Sequence, residues 1–376
     1  MTRSRVLVCS LILFAGITHS CDTPSDPPDS FPAVALQAVL DAGIEEYDGI
    51  GVSASVLVPG EELWSGTSGI SHGETAISPA ALFCISSITK TYTAAHILQL
   101  VEEGTLSLTD SLHSWIPSYP NIDSTITIRQ LLDHTSGVFD YYDHPAFFDS
   151  IMADPAREWT PEETMVFVLG HTHSPGSDWD YSNTNYVLLG MIIEEATGST
   201  VAEGLRNRFL TPLGLQETFM SVEEDLAGTV AHGWYDIDQD GILDDVIESI
   251  PMTAFMSMEW TAGAMFSSAR DLRRWTEALF SGEVIGQELL DEMLTFHSLS
   301  IPGHLYNGYG LGIGSFVIAG HQAYGHGGES PGYRSLMVYL PGSGVSLTVL
   351  INQVNGACLF AVVEGLVQTV QDYLGD

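Results

Sequence analysis

Ser87-Ile88-Thr89-Lys90 contains the only lysine of this 376-residue chain. The composition avoids basic side chains, with Lys+Arg at 11 against Asp+Glu at 48. Arginine replaces an ammonium wherever only charge is needed, but a guanidinium does not give up its proton. A lone lysine close behind a serine therefore points to proton chemistry rather than solubility. If Ser87 opens a helix, Lys90 follows one turn later on nearly the same face, within hydrogen-bonding reach of the hydroxyl. The positive end of the helix dipole and the amine both favour an alkoxide there. No Gly-Lys pair occurs anywhere, which removes the phosphate-binding P-loop.

Outward from this motif, the periodicity gives an α+β layout. The apolar spacing of residues 31–47 predicts a helix, and residues 50–58 and 63–70 read as strands separated at Pro59-Gly60. A helix is expected from Ser87 to Glu103, stopped by Gly104. Residues 105–260 carry helices and long loops, with helices at 128–132 and 186–197, and another helix covers 271–280. Strands return at 310–319, 333–340 and 345–352, the last two joined by Pro341-Gly342-Ser343-Gly344. An amphipathic helix over 357–373 follows. The expected fold is one antiparallel sheet built from both chain ends, flanked by helices, with an inserted all-helical lobe at about 105–260.

The first 20 residues read as an export signal. Arg3 and Arg5 precede an apolar run from Val6 to Ile17 that is too short to span a bilayer. Thr18-His19-Ser20-Cys21 resembles a lipoprotein cleavage site, with Cys21 lipidated and residues 21–30 a tether. The expectation is an exported, periplasmic or cell-surface lipoprotein, attached to a membrane only through Cys21. The formal net charge of -37 comes from scarcity of bases, since charged residues make up only 16%. It argues against nucleic acid and anionic membrane surfaces as partners, because both need a basic footprint. Cys84 and Cys358, in the folded part, are expected as buried free thiols, with a disulfide between them as the alternative in an oxidising compartment.

Two further constellations accompany the serine and lysine. Asp180-Tyr181-Ser182-Asn183 stands before the 186–197 helix. Gly325-His326-Gly327-Gly328 is followed by Glu329-Ser330-Pro331-Gly332-Tyr333. S-x-x-K, Y-x-N and H-x-G thus occur in one order, and the chain resembles the penicillin-recognising serine hydrolases. These comprise class C β-lactamases, serine D-alanyl-D-alanine carboxypeptidases and their esterase relatives. The stretches 98–106, 126–137 (ITIRQLLDHTSG) and 261–274 resemble the same family, so the resemblance covers roughly 31–376.

The resemblance implies acyl transfer through a covalent intermediate, with no cofactor for catalysis. Ser87 would be the nucleophile, and Lys90 and Tyr181 would share the general-base task. Asn183 would orient Lys90 and the substrate amide, and His326 would line the pocket and help set Tyr181's protonation. The backbone N–H groups of Ser87 and Glu329, beside Gly328, would hold the oxyanion, each such donor contributing about 3–4 kcal/mol. The implied substrate is a small molecule or peptide, first of all a peptide ending in D-alanine. β-Lactams and small esters are the alternatives, and a non-catalytic penicillin-binding-like module is the third. Two departures bear on the carboxypeptidase reading: Gly327 stands where those enzymes usually carry threonine, and Ile313-Gly314-Ser315-Phe316 where they carry arginine. Arg334 is the candidate replacement for that arginine.

Gly328-Glu329-Ser330-Pro331-Gly332 also fits the G-x-S-x-G elbow of α/β-hydrolases. That fold needs a histidine after the serine and a helix after the turn, whereas the last histidine here is His326 and a strand follows. His171-Thr172-His173 lacks a third ligand for zinc and is assigned to a loop. His134 is expected to be a structural hydrogen-bonding residue. The acidic segment 236–245 follows D-x-D-x-D-G, with Asp236, Asp238, Asp240 and Asp244 at positions one, three, five and nine of a calcium loop and no glutamate at position twelve. A structural Ca2+ and a solvated acidic loop both fit it.

Overall fold

The computed structural model describes residues 30–375. The export signal, Cys21 and nearly all of the tether lie outside the described residues. Strand β1 (Gly51–Leu57) alternates Val52, Ala54 and Val56 with Ser53 and Ser55. All five are buried, so the strand is covered on both faces. It pairs antiparallel with β2 (Trp64–His72), which pairs with the short β3 (Thr75–Ala76). The chain rejoins this sheet with β4 (His297–Ser298), β5 (Gly308–Tyr309), β6 (Gly314–Ile318), β7 (His321–Ser330), β8 (Tyr333–Leu340) and β9 (Val345–Ile351). The nine-stranded order is β3-β2-β1-β9-β8-β7-β6-β5-β4. Both chain ends meet at the β1–β9 pair, where Val52 lies opposite Ile351 and Leu57 opposite Ser346.

Six longer helices are α1 (Ala33–Glu46), α2 (Thr89–Glu102), α3 (Asn183–Thr197), α4 (Thr253–Gly263), α5 (Ala269–Phe280) and α6 (Gly356–Leu374). α1 and α6 cover one face of the sheet: Leu36, Leu40, Val362 and Leu366 pack with Val52, Leu347 and Val349. The opposite face of β9 meets α5, where the Thr348 hydroxyl donates to the Ala269 carbonyl at 2.7 Å. The fold is thus mixed α+β around one large antiparallel sheet, with residues 77–296 inserted on the α5 side. The insertion is mainly helical but also carries two small antiparallel sheets. One joins Phe83–Cys84, Met265–Ser267 and Thr218–Met220; the other pairs Trp234–Tyr235 with Asp244–Asp245. Strands of two or three residues are too short to leave a period in the sequence. Cys84 and Cys358 are free and buried.

Strand β7 is the element the periodicity misses. Its sequence, HQAYGHGGES, has three glycines, which weaken a strand through entropy and supply nothing to pack. They are there for close approach. A Cβ on Gly325 would overlap the Met337 carbonyl of β8, and one on Gly328 would overlap the Ile85 carbonyl beneath the strand. Replacement Gly325→Ala is therefore expected to destabilise the fold by about 1–3 kcal/mol through overpacking. Urea unfolding of the variant beside the parent checks it.

Candidate active site

Ser87 lies in a short 3-10 helix, Ser86–Ile88, and the α-helix proper starts two residues later at Thr89. Ser86 is held at φ 50°, so the chain turns sharply out of the Phe83–Cys84 strand. Cross-ties dock this turn on the β7–β8 hairpin: the Ser86 hydroxyl donates to Ser330 at 2.8 Å, and Ser335 donates to the Ile85 carbonyl at 3.0 Å.

Lys90 is fully buried. Its Nζ donates to Ser87 Oγ at 3.1 Å, Asn183 Oδ1 at 2.7 Å and the Ala262 carbonyl at 2.7 Å. These three bonds use the whole donor capacity of an ammonium. Burial lowers its pKa to about 8, with Glu259 and then Asp140 working in the opposite direction. The Asn183 amide is fixed from its other side, where Nδ2 donates to Asp140 Oδ2 at 3.0 Å. A carboxylate can only accept, so this bond turns Oδ1 towards Lys90. Asn183 is the first residue of α3, and Tyr181 stands just before it. The Tyr181 ring centroid is 5.0 Å from Lys90 Nζ. Its hydroxyl is buried with no hydrogen-bond partner within normal limits. Burial holds its pKa well above the usual 10, and the neighbouring Ser87 hydroxyl works against that rise.

His326 lines the same cleft but engages different partners from those expected. Its Nδ1 lies 2.7 Å from the Gly327 carbonyl, and its Nε2 lies 2.9 Å from the Tyr309 hydroxyl. A carbonyl only accepts, so the network places the proton on Nδ1, and Tyr309 donates to Nε2. Burial drives the imidazole pKa down to about 3, with the Lys90 charge adding to the fall. The ring is therefore neutral. No hydrogen bond joins it to Tyr181, whose ring centroid is 6.4 Å away. Tyr306 is the stronger influence on Tyr181, and its hydroxyl accepts the Gly327 N–H at 2.8 Å. The expected help of His326 in setting Tyr181's protonation therefore has no direct hydrogen bond to act through.

The pairing of β7 decides which backbone groups face the cleft. Its register with β6 ends at Gly325, so residues 326–330 are paired on the β8 side only. The Gly327 N–H, bonded to Tyr306, points away from β8. Strand amides alternate sides, so the Glu329 N–H points the same way and the Gly328 amide faces Ser335. Gly328 contributes its missing side chain rather than its amide. Ser87, Tyr181, His326, Gly328 and Glu329 line one cleft of about 390 Å³, and so does Arg334, 3.1 Å from the Glu329 carboxylate.

Asp140, Glu259, Tyr306 and Tyr309 were not singled out in the sequence. A signal existed for Glu259, a lone acid in the apolar run 254–260 (AFMSMEW), because such a residue is rarely buried unpaired. His134 is buried at φ 61°, where its Nδ1 accepts from the Ser182 N–H at 3.2 Å, as expected of a structural residue. In the acidic loop, oxygens of Asp236, Asp238 and Asp240 converge within 4.8 Å of one another. Asp244 is not among them: its carboxylate accepts from the Ile237 N–H at 3.1 Å. The calcium expectation rests on the first three.

A half-free strand edge, a serine bonded to a buried lysine, and an asparagine held against that lysine are the parts of a penicillin-recognising serine hydrolase. The Beta-lactamase family profile matches residues 36–362. The chain belongs to that family. A penicillin-binding protein of Bacillus subtilis (strain 168) is 30% identical over 272 residues, 69% of this chain and 58% of that protein, so this chain spans little more than half of its length. Among solved structures, the D-amino acid amidase of Ochrobactrum anthropi SV3, complexed with L-phenylalanine amide, is similar at TM-score 0.80 and 28% identity, covering 90% of this chain and 98% of that one. A D-stereospecific amidohydrolase from Streptomyces sp. is similar at TM-score 0.76 and 30% identity, covering 92% and 99%.

With its pKa near 3, His326 is expected to keep neutral, Nδ1-protonated nitrogen shifts down to about pH 5. Histidine 15N NMR, assigned with His326→Gln, checks this, and a ring that protonates near 6.5 contradicts it.

Proposed function

We propose that the chain hydrolyses peptides at D-amino acid residues through an acyl-enzyme on Ser87, as a carboxypeptidase acting on D-alanyl-D-alanine-type termini. The observation that carries this is the fully buried Lys90 hydrogen-bonded to Ser87 and Asn183. In its amine form Lys90 takes the Ser87 proton, and Oγ attacks the substrate carbonyl carbon. The oxyanion lies between the N–H groups of Ser87 and Glu329. Tyr181, kept as a phenol by burial, gives its proton to the departing nitrogen as the C–N bond breaks. The proton on Lys90 then restores Tyr181, and water releases the acyl group. Tyr181 is the acid in this scheme and Lys90 the base.

Glu329 and Arg334 carry the fixed charges among the cleft's lining residues. Arg334 offers a carboxylate anchor where the sequence lacks the usual arginine, which favours a carboxypeptidase. A second reading, amidase action on a free D-amino acid amide, is favoured by the exposed Glu329 carboxylate as a partner for the substrate's ammonium. The likeness to the D-amino acid amidase supports it. Export with lipid attachment at Cys21 is part of the proposal, and a diacylglycerol mass on the native N-terminus is its check.

Hydrolysis of an acylated D-Ala-D-Ala peptide and of D-phenylalanine amide, each beside its L-isomer, is the primary experiment. Ser87→Ala is expected to abolish both activities. Arg334→Gln is expected to weaken binding of the carboxylate-bearing peptide about tenfold or more, since a hydrogen bond to a charged group contributes about 1.5–3 kcal/mol. The amide should be unaffected. A loss confined to the amide in Glu329→Gln would favour the second reading. With Lys90 near pKa 8, Ser87 acylation should rise through about pH 7–9 as the ammonium loses its proton. Rates of penicillin-adduct formation by intact mass across that range check the limb.

A further inference from the structure

One carboxyl group close to Lys90 is left unused by the proposed reaction. Glu259, in the last turns of α4, is 4% exposed. One oxygen accepts from the Tyr142 hydroxyl, and the other lies against Gly263, where a Cβ would overlap it. A carboxylate so enclosed is costly unless it faces a cation. That second oxygen lies against the residue after Ala262, whose carbonyl accepts from Lys90. Burial raises the Glu259 pKa to about 8, and Lys90 is the largest charge opposing that rise, as Glu259 is the largest charge opposing the fall that burial imposes on Lys90.

The local backbone is organised around this pair. Trp260 follows Glu259 at φ 38° and ψ -120°, a conformation that persists in an L residue only under constraint. Its indole N–H is held by Glu223. Just past this break, the Ala262 carbonyl accepts from Lys90 at 2.7 Å. α4 therefore delivers a carbonyl to the ammonium and seats a carboxyl group against the next residue.

On the acyl-enzyme reading above, we infer that Glu259 is a positioning residue: held by Tyr142 beside the Lys90 site, it is the counter-charge that favours the ammonium form of Lys90 and so sets the pH at which the amine becomes free to act as base. The other titratable groups around the pair come from every packed element. Asp140, with Asp143 behind it, supports the ammonium through Asn183. His134 and His326 are held neutral by burial, and Tyr181, Tyr186 and Tyr141 are held as phenols. Cys84, a buried thiol, faces Glu259. Glu259 and Asp140 are thus the carboxyl groups of the cluster, raised by burial to about 8 and about 7. Asp140 is already committed to the Asn183 amide, which leaves Glu259 as the carboxyl group without another task.

The signs follow directly. A negative charge beside an ammonium raises its pKa, and burial lowers it. Glu259→Gln preserves shape and a hydrogen-bonding oxygen for Tyr142 while removing the charge. Lys90 should then lose its proton at lower pH. Tyr142→Phe, which leaves the carboxylate less stabilised, should move it the same way by less.

Because Lys90 is the only lysine of the chain, 13Cε-lysine labelling gives a single side-chain resonance whose titration reports this group directly. The expected result is a titration of that resonance displaced to lower pH in Glu259→Gln, with the acid limb of Ser87 acylation displaced in parallel. A displacement of half a unit raises the rate at about pH 6.5, relative to each variant's plateau, by about threefold. An unchanged lysine titration in a folded Glu259→Gln protein overturns the inference. If that variant does not fold, Tyr142→Phe decides, since an unchanged titration there overturns it equally. The acyl-enzyme reading fails separately, through absence of any Ser87 adduct in the parent protein, and the lysine resonance is read without reference to activity.

Discussion

A buried ammonium is the constraint on which the site depends. Taking Lys90 out of water costs several kcal/mol unless each of its three N–H groups finds an acceptor. The acceptors come from three places: Ser87 before α2, Asn183 at the start of α3, and Ala262 near the end of α4. Three segments far apart in sequence must therefore converge on one atom. The sheet supplies the other wall, since β7 passes against the Ile85 carbonyl at the Ser86–Ile88 turn with glycines where side chains would collide. The cleft is the seam between the sheet and the inserted lobe, and each side is incomplete without the other.

The site confines charge by keeping its remaining polar groups neutral. His326 and His134 are buried imidazoles with depressed pKa values, and Tyr181, Tyr186, Tyr306 and Tyr309 are buried phenols with raised ones. Lys90, lowered by burial to about 8, and the carboxyl groups of Glu259 and Asp140, raised by burial to about 8 and about 7, are the groups left to exchange a proton near neutral pH. In such surroundings a proton moved between Lys90 and Tyr181 changes local energies far more than it would in water. The same enclosure fixes the role of the histidine at the third motif. With both ring nitrogens bonded to Gly327 and Tyr309, the residue is a neutral strut for the pocket wall rather than a second cation.

Much of the fold was legible in the sequence because its signals are local. The helix expected at 31–47 spans 33–46, that at 271–280 spans 269–280, and that at 357–373 spans 356–374. Strand β7 was not legible, because the glycines that let it pass Ile85 and Met337 erase its alternating pattern. The motif residues Ser87, Lys90, Tyr181, Asn183 and His326 were all singled out. Their partners Asp140, Glu259, Tyr306 and Tyr309 were not, since each is recruited by packing from segments with no motif of their own. The bonding of His326 was also beyond the sequence, because ring orientation depends on tyrosines about twenty residues earlier that β5 folds back against it.

Violations of local preference gather where these demands meet. Seven non-glycine residues among those described have positive φ, and three of them, Ser86, His134 and Trp260, adjoin or contact the Lys90 cluster. The Tyr181 hydroxyl and the His134 Nε2 are buried there without partners. Each feature costs stability, of the order of 1–3 kcal/mol, and persists only when its surroundings leave no alternative. Their clustering has a physical reason. Ser86 must bend for Ser87 to reach the cleft, Trp260 must break its helix for Ala262 to face Lys90, and the Tyr181 hydroxyl must stay unbonded if it is to give its proton to something not yet bound. A site relaxed at each of these points would be more stable, but its lysine would have no serine to act upon.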